Sequence, residues 1–316
     1  METLIKGIHH VTAIAGDPQA NVDFYSGVLG LRLVKKTINF DAPDVYHFYF
    51  GNEQGAPGTI FTTFPFKGAR KGTKGTGEMT FTGFSIPEGS LEFWKERLSK
   101  FDVVISDELT RFGKKLIRFE DHDGMGLELI ANDEDDREGW SYGQIPAEHA
   151  IRGFYGATLY LREKEGTEEL LTRHMDYQFI GEEDGRFRFG TEGKPGDIVD
   201  ILVNPDAPRG QQSAGTVHHI AFRTENADSQ LSIQKLLWDN GYQTTEVKDR
   251  NYFTSIYFRS PGGVLFEIAT DEPGFAIDEE EAHLGELIKL PEWAEPSRDR
   301  IESNLPQVSV NTEDYA

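Results

Sequence analysis

Cysteine is absent from the sequence. That excludes disulfides, thiolate-bound zinc, iron–sulfur clusters and a cysteine nucleophile. It is also the usual look of a cytosolic chain that needs no covalent staples. No run of about 18 apolar residues occurs, so no membrane-spanning helix is expected. The opening stretch, METLIKGIHHVTAIAG, has no apolar core followed by a cleavage site. No signal peptide is therefore expected, and the expected location is cytoplasmic. Positive charge is scarce: 32 Lys and Arg stand against 54 Asp and Glu, a net charge of −22. A field of that sign repels phosphate, so neither nucleic acid nor a membrane is an expected partner. Solubility is the plain reading of the acidity.

Core-forming residues are plentiful. The chain is 37% hydrophobic and 12% aromatic, too rich for disorder. Its 316 residues suit two domains of roughly 150 residues each, or an assembly of repeats. Repeats are visible. Strand-like runs open at Gly7 (GIHHVTAIA), Gly77 (GEMTFTGFSI), Gly153 (GFYGATLYL) and Gly215 (GTVHHIAFRT). A helical pattern follows each; in PQANVDFYSGVLG, Val22, Tyr25 and Leu29 recur at helical spacing. Three shorter β-like runs complete each unit, and in the last they are YQTTEVKD, YFTSIYFR and GVLFEIAT. The expected fold class is α+β, with four βαβββ modules forming two barrel-like curled mixed sheets. Modules one and two make an N-terminal domain over 1–131 and modules three and four a C-terminal domain over 151–275. The acidic, turn-rich segment 132–150 is the linker. The tail, 276–316, is expected to dock one short helix and to fray at its end. The basic, glycine-rich run 67–77 lacks phosphate-loop spacing and reads as a flexible connection near the cavity.

Two of the opening strands carry a His-His pair, His9-His10 and His218-His219. Side chains alternate along a strand, which places Ile8, His10, Thr12 and Ile14 on one face of the first. The same count places Val217, His219, Ala221 and Arg223 together in the other. In GGVLFEIAT, Leu265, Glu267 and Ala269 share one face, and Phe266 and Ile268 the other. A carboxylate among apolar neighbours is costly to bury alone, and a metal ion would supply its partner. Two imidazoles and one carboxylate form the facial triad of non-heme Fe(II) enzymes, with adjacent positions left open. His10, His219 and Glu267 are thus the candidate ligands, although a single strand histidine is ordinarily a core or surface residue.

The FYSGVLG that follows the first His pair, RNYFTSIYFRSPGGVLFEIATDEPGF and the LPEWAEPSRDRIESNLP tail together resemble the vicinal-oxygen-chelate (glyoxalase/bleomycin resistance/dioxygenase) superfamily. The likeness covers essentially the whole chain and is closest to the ring-cleaving, hydroquinone dioxygenase-like branch. It implies that His10, His219 and Glu267 hold Fe(II), with Mn(II) as the alternative ion. It implies that module one pairs with four and module two with three. It places His9, Thr12, His218, Arg250 and Tyr257 around the substrate, with Arg250, Tyr257, His9 and His218 in catalytic roles. Thr12 agrees with the face count, whereas His9 and His218 need a bulge to turn inward. The implied reaction is extradiol-type ring cleavage of a hydroquinone or catechol by O2. A cysteine-free chain suits such a substrate, because hydroquinones oxidise to thiol-alkylating quinones. A homodimer is the expected assembly.

Two other functions remain open. A glyoxalase-type isomerase or transferase draws four ligands, but the position matching Glu267 in module one is Thr62. A non-catalytic protein binding an aromatic ligand would need no metal. Glu128 and Asp200 occupy the corresponding carboxylate positions of modules two and three, without matching histidines, and read as relics or solvated residues. The histidines at 47, 122, 149, 174 and 283 have no constellation around them in the sequence.

Overall fold

The computed structural model describes residues 3–141 and 143–316; Met1, Glu2 and Tyr142, the last inside the expected linker, lie outside the described residues. Module one runs β1 (Ile8–Ala15), α1 (Pro18–Val22), β2 (Arg32–Asn39), β3 (Ala42–Gly51) and β4 (Ile60–Pro65). Module two runs β5 (Glu78–Ile86), α2 (Leu91–Lys100), β6 (Leu109–Arg111), β7 (Lys114–Glu120) and β8 (Gly126–Ala131). Module three runs β9 (Gly153–Leu161), α3 (Glu165–His174), β10 (Gln178–Glu183), β11 (Arg186–Gly190) and β12 (Ile198–Val203). Module four runs β13 (Thr216–Thr224), α4 (Ala227–Asp239), β14 (Lys248–Asp249), β15 (Phe253–Arg259) and β16 (Leu265–Pro273). Each module is βαβββ, although YQTTEVKD yields only the two-residue β14.

The strands form two curled, mixed eight-stranded sheets. Their orders are β14-β15-β16-β13-β1-β4-β3-β2 and β10-β11-β12-β9-β5-β8-β7-β6. β1 lies antiparallel to β13, and β5 to β9, so module one pairs with four and two with three. Each half of the chain gives one module to each sheet. Val11, Phe61, Phe84, Phe154 and Ile220 pack between the sheets in one continuous core.

The glycines that open the modules have a structural cause. Gly215 has φ +82°, and a Cβ there would sit 2.1 Å from the carbonyl oxygen of Asp123. The left-handed backbone and the close approach both exclude a side chain. Gly215→Ala is expected to cost more than about 1 kcal/mol of folding stability, read as a lower denaturant midpoint.

Three expectations need correction. The first helix is split: after α1, residues Asp23–Val28 form a π turn closed by Leu29 N–H donating to Phe24 C=O. The wider turn seats Tyr25 between Phe50 and Phe61, with its hydroxyl 3.0 Å from Asp121. The 67–77 connection is ordered, because Lys71, Thr73 and Thr76 bridge to Ala214, Gln211 and Arg209. The tail does dock one helix, α5 (Arg298–Asn304), through buried Ile301, but its end is pinned. Arg97 Nη2 donates to the Tyr315 carbonyl at 2.9 Å, and Lys100 Nζ to the Ala316 carbonyl at 2.6 Å.

Candidate metal centre

The first sheet brings three neighbouring strands, β16, β13 and β1, under one concave face. Glu267, His219 and His10 project from them and are all buried. His10 Nε2 and His219 Nε2 are 3.3 Å apart. Glu267 Oε2 lies 2.8 Å from His219 Nε2 and 3.4 Å from His10 Nε2. An ion with bonds of about 2.1 Å at right angles spaces adjacent donors roughly 3.0 Å apart, so this set fits a divalent cation. The carboxylate points the same way. Its Oε1 accepts from the Ser255 hydroxyl, while Oε2 is buried and faces only the two imidazole Nε2 atoms. A buried charged oxygen in that state wants a cation.

The face count holds on β16: Phe266 and Ile268 enter the inter-sheet core and Glu267 does not. On the other two strands it fails at one residue each, Ile8 and Val217. In the β1–β13 ladder Ile8 pairs with Phe222 and His10 with Ala221, which leaves His9 as an extra residue. Thr12 pairs with His219 and Ala13 with Val217, which leaves His218 extra in the same way. Each His-His pair is therefore a β-bulge. Ile8 and Val217 consequently face the core rather than sharing a face with His10 and His219.

The bulges let neighbouring imidazoles touch. His9 Nδ1 lies 2.9 Å from His10 Nδ1, and His218 Nδ1 lies 2.7 Å from His219 Nδ1. With the shared proton on Nδ1 of His10 and of His219, each Nε2 keeps its lone pair, the tautomer that metal binding requires. His9 lies beside His10 on the same concave face, where its ring meets Phe253 at 5.1 Å and lines a neighbouring cavity with Ile60 and Tyr252. His218 sits on the cavity wall. Burial holds His9 well below the usual imidazole value and pushes His218 down to about 3, so both rings are neutral at pH 7. Burial also lowers His219. It would raise Glu267, but in the metal-free site the positive charge that His10 and His219 carry when protonated outweighs it and holds the carboxyl well below its ordinary range, and a bound cation would take over that role.

A cavity of about 400 Å³ opens over this set, ample for one aromatic ring. Phe40, Tyr49, Phe64, Phe66 and Phe253 give it apolar walls. Arg250 and Tyr257 line one flank, where Arg250 Nε donates to the Tyr257 hydroxyl at 3.0 Å. Asp41, from the β2–β3 turn, approaches Arg250 at 3.8 Å. Burial raises the Tyr257 phenol, so it stays protonated. Thr12 is not on the cavity wall. It is fully buried beside Thr62, hydroxyl to hydroxyl at 2.8 Å. Thr62 lies beside Thr12 as Glu267 lies beside Ala221, each two residues past a cavity histidine. It occupies the fourth-ligand position and offers only a hydroxyl.

His47 does belong to a constellation. It lines the cavity with Asn39 and Asp41, and no local spacing marked it, because VYHFYF is apolar or aromatic on both faces. The other four histidines have ordinary partners in Asp123, Ser90, Tyr242 and Glu286. Glu128 and Asp200 are not solvated. Glu128 is clamped by both terminal nitrogens of Arg111 and by Arg118 Nε. Asp200 is held by Arg188 through two nitrogens and by Arg186. Ion pairs thus fill the second sheet where the first holds its histidines and carboxylate.

The family model of the "Glyoxalase/Bleomycin resistance protein/Dioxygenase superfamily" matches residues 7–129 and 150–268. A protein of Bacillus subtilis (strain 168) named "Putative ring-cleaving dioxygenase MhqO" is 47% identical over 299 residues, covering 95% of each chain. The "Chlorohydroquinone/hydroquinone 1,2-dioxygenase" of Sphingobium indicum is 37% identical over 306 residues, covering 94% of this chain and 95% of that one. A crystal structure of a "putative dioxygenase" from Bacillus subtilis superposes with a TM-score of 0.95 at 46% identity, covering 98% of this chain and 99% of that one. Glyoxalase I of Zea mays shares the fold, with a TM-score of 0.61 at 14% identity over 84% of this chain and 92% of that one.

Proposed function

Because this chain belongs to the glyoxalase/bleomycin resistance protein/dioxygenase superfamily, we propose that it is an Fe(II)-dependent, extradiol-type ring-cleaving dioxygenase of hydroquinones or catechols. The observation that carries the reading is the buried His10–His219–Glu267 set, its donor atoms 2.8 to 3.4 Å apart, at the base of an aromatic-walled cavity. Relatives named for ring cleavage, one of them for hydroquinone, support the reaction class. His10, His219 and Glu267 would hold Fe(II), or Mn(II) in its place, which would act as a Lewis acid toward a phenol oxygen and activate O2.

The protein's own groups do the rest. The aromatic walls exclude water and orient the ring. Tyr257 accepts from Arg250, which leaves its O–H free to donate to a substrate oxygen. The fixed Arg250 charge stabilises negative charge developing beside that oxygen. His218, neutral and on the wall, spends its Nδ1 lone pair on His219, carries its hydrogen on Nε2 and can donate it to a substrate oxygen. His9 and His218 fix the orientation of His10 and His219. Thr12 supports the wall through Thr62, which in turn holds His47.

Anaerobically metal-loaded protein, mixed with aerated hydroquinone, methylhydroquinone or catechol, should consume oxygen stoichiometrically with at least one diol. Chelation should stop uptake and Fe(II) restore it. Retention of an aromatic ligand without oxygen uptake under either metal would leave a binding protein instead. His9→Phe and His218→Phe keep a ring but remove the acceptor. Each should weaken metal affinity by about 10- to 100-fold in a competition titration while leaving the fold intact.

A further inference from the structure

His47 stands on β3, on the far side of β16, β13 and β1 from the β15 flank that carries Tyr257. Its ring is wedged by Tyr49 at 4.0 Å and Phe64 at 4.4 Å. Its Nε2 lies 2.8 Å from Thr62 Oγ1, which lies 2.8 Å from Thr12 Oγ1. The direction of these bonds follows from burial. Both threonines are fully buried, and among the described residues Thr62 is the one hydrogen-bond partner of the Thr12 hydroxyl. A buried O–H left without an acceptor is costly. Thr12 therefore donates to Thr62, and Thr62 sends its own proton to His47 Nε2. The reverse direction would strand the Thr12 proton. With Nε2 accepting, the neutral ring carries its hydrogen on Nδ1. Burial, reinforced by His10 and His219, keeps the ring from taking a second proton at pH 7. Nδ1 has no protein partner among the described residues, and the ring lines the cavity. His47 is a fixed, uncharged N–H donor facing the substrate space.

We infer that His47 recognises the hydroxyl across the ring from the metal-side oxygen, and so selects 1,4-diols over monophenols. The inference rests on the proposed function. Tyr257 pairs across strands with Glu267, and its ring lies 5.7 Å from that of His219, so the Arg250–Tyr257 pair serves the oxygen at the metal end. The neighbouring hydroxyl of a catechol would stay at that end. The opposite hydroxyl of a hydroquinone points to the other flank, where His47 donates to its oxygen. Thr62 and Thr12 are positioning residues that hold His47 in the donating tautomer.

The test is anaerobic calorimetric binding of hydroquinone and of 4-methylphenol, its shape mimic with a methyl in place of one hydroxyl. Both are titrated into Fe(II)-loaded wild type, His47→Phe, Thr62→Val and Thr62→Ser. Wild type should prefer hydroquinone by roughly tenfold or more, the worth of one satisfied buried donor. His47→Phe should bring that preference to about onefold through weaker hydroquinone binding, with 4-methylphenol affinity held or improved. Thr62→Val should lower the preference and Thr62→Ser restore it, with KM for hydroquinone following the same order. A preference unchanged in His47→Phe, or in Thr62→Val should the first variant not fold, overturns the inference. Oxygen uptake by wild type reports separately on the dioxygenase reading: uptake with an unchanged preference sinks only the role of His47.

Discussion

Glu267→Gln should cut ring-opening oxygen consumption by about 10³-fold or more, since a cation site contributes several kcal/mol to charge developing on substrate oxygen. The substitution keeps shape and removes charge. Two neutral imidazoles and an amide hold a divalent ion far more weakly than two imidazoles and a carboxylate. The fold should survive, because the Ser255 hydroxyl that donates to Glu267 can donate equally to an amide oxygen. The readout therefore has two parts. Metal-free variant and metal-free wild type should melt close together, while the rise in Tm that Fe(II) gives wild type should vanish in the variant. His219→Ala should behave alike, with loss of uptake and of the metal-dependent Tm rise. Retained turnover in either variant would remove that residue from the ligand set.

Asp200→Asn should destabilise the fold by about 3–5 kcal/mol, the usual result of breaking one side of a buried ion pair. The carboxylate accepts from Arg188 Nε at 2.8 Å, from Arg188 Nη2 at 2.9 Å and from Arg186 Nη1 at 3.4 Å. All three side chains are buried, and Arg111 and Arg118 stand nearby around Glu128. Four guanidinium groups thus share two carboxylates, and neutralising one carboxylate strands charge that water cannot reach. Denaturant unfolding at pH 7 measures the loss, and a change below about 1 kcal/mol would mean that the pair is solvated. Acid should act on the same cluster. Burial would raise Glu128, but Arg111 and Arg118 outweigh it and hold its pKa below 4.5. Its stabilisation is complete above that ordinary value and is lost as pH falls through the folded one. Glu128→Gln should flatten that part of the stability–pH curve.

Much of this architecture was legible in the sequence because it repeats. Four glycine-led strands, each followed by a helical period and three short runs, foretold the four modules. The alternation of Phe266, Glu267 and Ile268 placed the carboxylate on the correct face. Alternation misled where the backbone departs from it. The bulges at His9 and His218 move Ile8 and Val217 to the core, and no spacing rule announces a bulge. His47 was hidden by composition, since the cavity face and the core face of β3 are both aromatic. Glu128 and Asp200 looked solvated because the arginines that clamp them lie on other strands. The chain end looked frayed because Tyr315 docks on residues nearly 300 positions earlier, at Gly27.

The most direct test is an anomalous difference map, at the iron absorption edge, from crystals loaded with Fe(II) without oxygen. The account predicts one strong peak bonded to Nε2 of His10, Nε2 of His219 and a carboxylate oxygen of Glu267, at the base of the aromatic cavity. A peak elsewhere, or none at these three side chains in protein that still consumes oxygen with a diol, would contradict it.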